Sequence, residues 1–143
     1  MANNLQIMVD LNVIIDVIQN RQPFYEESAR VLDAVARQEV SGWLAAHSVT
    51  TLFYVVSRLR NRETAVATLT TLLDVFTIAT VDDAVIRKAI SWGWKDFEDA
   101  VQMAAAMNAG ANFFVTRNAR DFQSGLVPII SPAALIALLK QSA

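Results

Sequence analysis

A chain of 143 residues, 54% of them hydrophobic, has the length of one typical domain and enough apolar material for a continuous core. The absence of cysteine excludes disulfides, thiolate metal sites and cysteine nucleophiles, and suits a reducing compartment. A net charge of -2 provides no strong overall field for nucleic acid, so any phosphate binding has to be local.

The start, MANNLQIMVD, lacks the basic-then-apolar order and cleavage site of a secretory signal, and polar residues interrupt every apolar run before it could cross a bilayer. A cytoplasmic protein without a membrane span is the expectation. Ile7-Met8-Val9 reads as a buried strand ending in Asp10, and Asn12 to Ile18 continues it into a helix. After Pro23, Glu26 to Gln38 puts Ala29, Val31, Leu32, Val35 and Ala36 on one helical face. Gly42 to Ala45 is a short strand, and Ser48 is placed to cap a helix carrying Leu52, Phe53, Val55, Val56 and Leu59.

Arg62 to Leu73 has helical periodicity, Val75 to Val81 alternates like a strand, and Asp82 to Trp92 suits another helix. Asp96 to Asn108 is a helix rich in Ala and Met that ends before Gly110, and Phe113 to Thr116 is a further buried strand. Pro128-Ile129-Ile130 and a helix from Pro132 to Lys140 close the chain. Such alternation predicts a single α/β domain over residues 1–143, a three-layer α/β/α sandwich around a central, mostly parallel sheet.

In open parallel sheets, sites form beyond the carboxyl ends of the strands. Asp10 stands at the end of the first strand, Asn118 and Asp121 follow Thr116, and Asp96 and Asp99 open the long helix. Asp96 and Asp99 share a helical face with Gln102 a step further on, whereas Glu98 points about 100° away from Asp99. Carboxylates without cysteine and with one histidine suit a hard cation, Mg²⁺ or Mn²⁺, rather than zinc. An ion so held polarises phosphodiesters and activates water. Each acid also has a structural reading: Asp10 and Asp96 as helix caps, with Asp99 completing a box-like pair, and Asp121 in a turn.

Val9-Asp10-Leu11-Asn12 through Asp16 resembles the opening motif of the PIN-domain family, and Asp96-Phe97-Glu98-Asp99-Ala100, Gly110-Ala111, Val115-Thr116-Arg117-Asn118 and Asp121-Phe122 resemble its closing motifs. The resemblance spans nearly the whole chain in order. It implies a Mg²⁺- or Mn²⁺-dependent ribonuclease of the VapC toxin type, homodimeric and inhibited by an antitoxin. Asp10, Asp99 and Asp121 would be acidic metal ligands, with Asp96 as accessory acid. Asn12, Thr116 and Asn118 would be polar supports.

The chain departs from the family in its third helix, where Thr51 or a neighbour stands in place of the usual Glu. A neutral hydroxyl there implies a weaker site, or reliance on Asp96. It also motivates the alternative of a weakened or inactive PIN-fold binding module. Arg117 and Arg120, flanking the site, are the expected phosphate grips, while Arg58, Arg60 and Arg62 read as a solvated helix end. His47 reads as structural; Trp43, Trp92 and Trp94 read as core or as base-stacking platforms. A phosphoryl-transfer domain fits less well, since Thr116-Arg117-Asn118 stands where a receiver has Lys after a late strand, and Asn12 where a haloacid-dehalogenase-like phosphatase has Asp.

Overall fold

Five strands in a computed structural model form one parallel sheet in the order β3-β2-β1-β4-β5. The structure describes residues 5–122 and 126–142. The strands are β1 (Gln6–Val9), β2 (Ser41–Ala45), β3 (Phe76–Ala79), β4 (Phe113–Val115) and β5 (Ile129–Ile130). Helices α1 (Leu11–Ile18) and α2 (Tyr25–Ala36) join β1 to β2, and α3 (Ala46–Leu59) and α4 (Arg62–Val75) join β2 to β3. Next come α5 (Asp83–Trp92) and α6 (Phe97–Ala109) before β4, and α7 (Pro132–Ser142) after β5.

Side chains of successive strand residues point to opposite faces, so an all-apolar β1 needs cover on both sides. Ile7 and Val9 pack with α1, α2, Leu52 of α3 and Leu135 of α7, whereas Met8 packs with α5 and α6. Two apolar clusters therefore sandwich the sheet, in the three layers expected. Fully burying side chains of this size contributes roughly 1.5–3 kcal/mol each. No helix among the described residues is long and apolar enough to cross a membrane.

Local chemistry accounts for most element ends. Asp82 caps α5 by accepting from the Val85 amide at 3.0 Å, and Asn61 caps α4 by accepting from the Thr64 amide at 2.7 Å. Gly110 ends α6 at φ 75°, where a side chain would be strained. Gly42 is needed for space: a Cβ there would lie 2.8 Å from both Phe76 and Val35.

Two expectations are corrected. Ser48 does not cap α3, because the helix begins directly off β2 at Ala46, leaving Ser48 buried in its first turn. The strand expected over Val75 to Val81 contracts to Phe76–Ala79, since the α4 turn extends through Val75.

A candidate active site where the strand order reverses

The chain passes from β1 outward through β2 to β3, then returns to place β4 on the other side of β1. The carboxyl ends of β1 and β4 thus flank the crevice where open α/β sheets bind ligands. Asp10 leaves β1 there and Thr116 leaves β4, tied together by the Asp10 amide donating to the Val115 carbonyl at 2.9 Å.

Asp10 is both cap and site residue. Its Oδ1 accepts from the Asn12 amide at 3.3 Å, in the manner of a helix N-cap. Asn12 therefore fixes Asp10 through its backbone. The carboxylate is only 1% exposed, however, and also accepts from the Thr116 hydroxyl at 2.8 Å and the Gln102 amide at 3.2 Å. Burial pushes the Asp10 carboxyl above its usual range, opposed by these hydrogen bonds and by the charge of Arg117.

Helix α6 brings in the next acids. Asp96 caps it by accepting from the Asp99 amide at 3.0 Å. Gln102, one turn beyond Asp99, is buried and reaches across the crevice: its Oε1 accepts from the Leu11 amide at 3.1 Å while Nε2 lies 3.2 Å from Asp10 and 3.5 Å from Asp99. Asp121 lies on an exposed 3-10 turn, Ala119–Asp121. Burial, followed by the charges of Asp96, Asp10 and Asp121, pushes Asp99 up to about 7. The four acids therefore share one electrostatic site.

Among the described residues, no three His, Cys, Asp or Glu side chains form a ready-made metal cage. The donor chemistry nevertheless fits a divalent cation. The groups are oxygen donors, and the negative charges of Asp96, Asp10 and Asp121 add to burial in raising the Asp99 pKa, a repulsion that added positive charge relieves.

The supporting residues divide. The Asn118 amide donates to the Thr116 hydroxyl at 3.0 Å, so Asn118 orients Thr116 through its main chain. Thr51 donates to Glu98 Oε2 at 3.1 Å, and the Glu98 carbonyl lies 3.3 Å from His47 Nε2. Glu98 thus turns toward α3 and away from Asp99, as helical spacing requires. Burial lowers the His47 pKa, which suits a neutral, structural imidazole.

Arg120 is exposed, whereas Arg117, the other expected phosphate grip, is already committed. Its Nε and Nη2 donate to the two oxygens of Asp16 at 2.7 and 3.0 Å, and its guanidinium lies 3.9 Å from the Phe24 ring centroid. Asp16 is fully buried and also accepts from Ser28 Oγ at 3.2 Å. This clamp fastens the segment after β4 to α1. The charge of Asp16 inside the apolar run Val13 to Ile18 was its one visible signal, because a buried acid requires a partner.

A PIN-domain family model matches residues 6–120. Ribonuclease VapC1 of Aquifex aeolicus is 22% identical over 134 residues, covering 90% of this chain and 92% of that protein. The structure of VapBC-1 from nontypeable Haemophilus influenzae superposes with a TM-score of 0.69 at 14% identity, covering 90% of this chain and 99% of the other. A toxin–antitoxin complex from Klebsiella pneumoniae gives 0.66 at 19% identity, covering 87% and 96%.

Proposed function

Since the chain belongs to the PIN-domain family, we propose that it is a divalent-metal-dependent endoribonuclease, the toxin of a VapBC-type toxin–antitoxin pair. The observation that carries this reading is Asp99 itself, whose carboxyl is pushed up to about 7 by burial, followed by the charges of Asp96, Asp10 and Asp121. Asp10, Asp99 and Asp121 would hold Mg²⁺ or Mn²⁺, with Asp96 as accessory acid. The ion would supply polarisation of the phosphodiester and a water of lowered pKa.

The protein's own contribution is preorganisation. Thr116 fixes one oxygen of Asp10, while Gln102 and the Asn12 amide fix the other, so the carboxylate is aimed before any ligand arrives. The Asp16–Arg117 clamp steadies the segment that carries Thr116, Asn118 and Asp121. Arg120, exposed beside Asp121, is available to an RNA phosphate.

Support for RNA as substrate comes from the relative named a ribonuclease, and support for an antitoxin from fold neighbours solved as toxin–antitoxin complexes. The family resemblance supports a homodimer. Purified protein incubated with total RNA and Mn²⁺ tests the reading, with Asp10→Asn reducing cleavage at least about 100-fold. Equal cleavage by both proteins contradicts it. Two folded but inactive proteins favour the binding-module reading, which the neutral Thr51 motivates.

A further inference from the structure

We propose that the cavity beside the acids is a subsite for one ribonucleotide flanking the cut, with its base against Trp94 and its phosphate between Lys95 and Arg120. The proposal rests on the ribonuclease reading above and deepens it. The cavity has a volume of about 410 Å³ and is lined by Trp94, Lys95, Asp96, Arg120 and Asp121. That lies toward the lower end of small-ligand sites, which run from roughly 300 to 1,000 Å³. It suits a single nucleotide rather than a longer stretch of RNA.

Position links this cavity to the chemistry. Asp96 and Asp121, two of its lining residues, are also two of the acids whose charges act on Asp99. A nucleotide seated here is therefore a direct neighbour of any phosphodiester held at the acids.

The lining has the composition that a nucleotide needs. Trp94 is braced by Trp92, with ring centroids 5.3 Å apart and planes 28° apart, and by Phe122, whose ring stands nearly perpendicular at 79° with its centroid 5.9 Å away. Phe122 in turn packs on buried Phe114 at 4.5 Å. The indole is thus a platform anchored to the core, and bases of any sequence stack on such a surface. Lys95 and Arg120 are exposed and, among the described residues, form none of the ion pairs that occupy Arg21, Arg37, Arg87 and Arg117.

The charge distribution disfavours a plain anion. Asp96 and Asp121 repel a multiply charged phosphate that lacks a neutral portion to place beside them. A monoanionic phosphodiester with a base attached meets both demands, with its charge at the cations and its uncharged ring at Trp94.

Equilibrium dialysis of the full chain against the methyl esters of the four ribonucleoside 5′-monophosphates, whose phosphodiester carries a single charge, tests the subsite without any cleavage step. Nucleosides and inorganic phosphate serve as separate arms, and circular dichroism verifies the fold of each variant. At least one methyl ester should bind. Trp94→Leu should weaken it about tenfold, Trp94→Phe should retain most of the affinity, and Arg120→Gln or Lys95→Gln should weaken the methyl esters but leave the nucleosides unchanged. Should Trp94→Leu fail to fold, the two surface variants carry the test alone.

Absence of binding, an Arg120→Gln protein that binds like wild type, or inorganic phosphate binding as tightly as the methyl esters would overturn the proposal. The ribonuclease reading fails separately. Asp10-independent cleavage sinks that reading while Trp94-dependent binding stands; Asp10-dependent cleavage with Trp94-independent binding sinks the subsite alone.

Discussion

Replacing Arg117 by Met should destabilise the protein by about 3.5–5 kcal/mol, because it strands a buried charge and removes a cation–π contact. Asp16 is fully buried and receives two donors from Arg117, at 2.7 and 3.0 Å, so Arg117→Met leaves it with Ser28 at 3.2 Å and a more distant Arg21 at 3.7 Å. Removing one partner of a buried ion pair typically costs about 3–5 kcal/mol. Arg21 can swing partway in, which argues for the lower end of that range. Loss of the Arg117 contact with the Phe24 ring adds about 0.5–2 kcal/mol. Urea denaturation reads the effect as a fall in midpoint of more than about 1 M with an unchanged slope. Asp16→Leu combined with Arg117→Met should cost less than the sum of the two single changes, since neither charge is then left alone. A single Arg117→Met variant within about 0.5 kcal/mol of wild type would refute the clamp and return Arg117 to the surface.

Other expectations concern the acids directly. With its folded pKa raised from 3.8 to about 7, Asp99 favours the metal-free fold most below pH 4, and that contribution is lost as pH rises through 7. Thermal melts without metal should therefore show a fall in stability across this window that Asp99→Asn removes and saturating Mg²⁺ offsets; an unchanged pH slope in Asp99→Asn argues against the shared site. Proton competition also predicts that Mg²⁺ affinity rises about tenfold per pH unit below 7 and levels off above it, measurable by calorimetry. Thr116→Val should cost about 1.5–3 kcal/mol in chemical denaturation, since its hydroxyl donates to buried Asp10 at 2.8 Å. Thr116→Ser should recover most of that loss.

What the sequence disclosed was mainly local. A strand running into Asp10 and then an apolar helix is a period change visible within a dozen residues, and Asp96 with Asp99 is a recognisable helix start. The reversal of strand order then brings those local features together. The pairing of Arg117 with Asp16 is not legible in the sequence, because the two lie 101 residues apart and spacing alone carries no information about such a pair. Ser48 looked like a cap because hydroxyl residues usually cap, but α3 springs directly from β2 without one. Gln102 was visible only as a neighbour of Asp99; its bridge from α6 to Asp10 and Leu11 exists only once α6 packs across the ends of β1 and β4.

Titration of Mn²⁺ into the metal-free protein at pH 7.5, followed by electron paramagnetic resonance, tests most directly whether the converging acids form a metal site. Wild type should bind Mn²⁺ saturably, and Asp99→Asn, folded to the same extent, should bind it at least about tenfold more weakly. Equal binding by the two proteins would contradict the account.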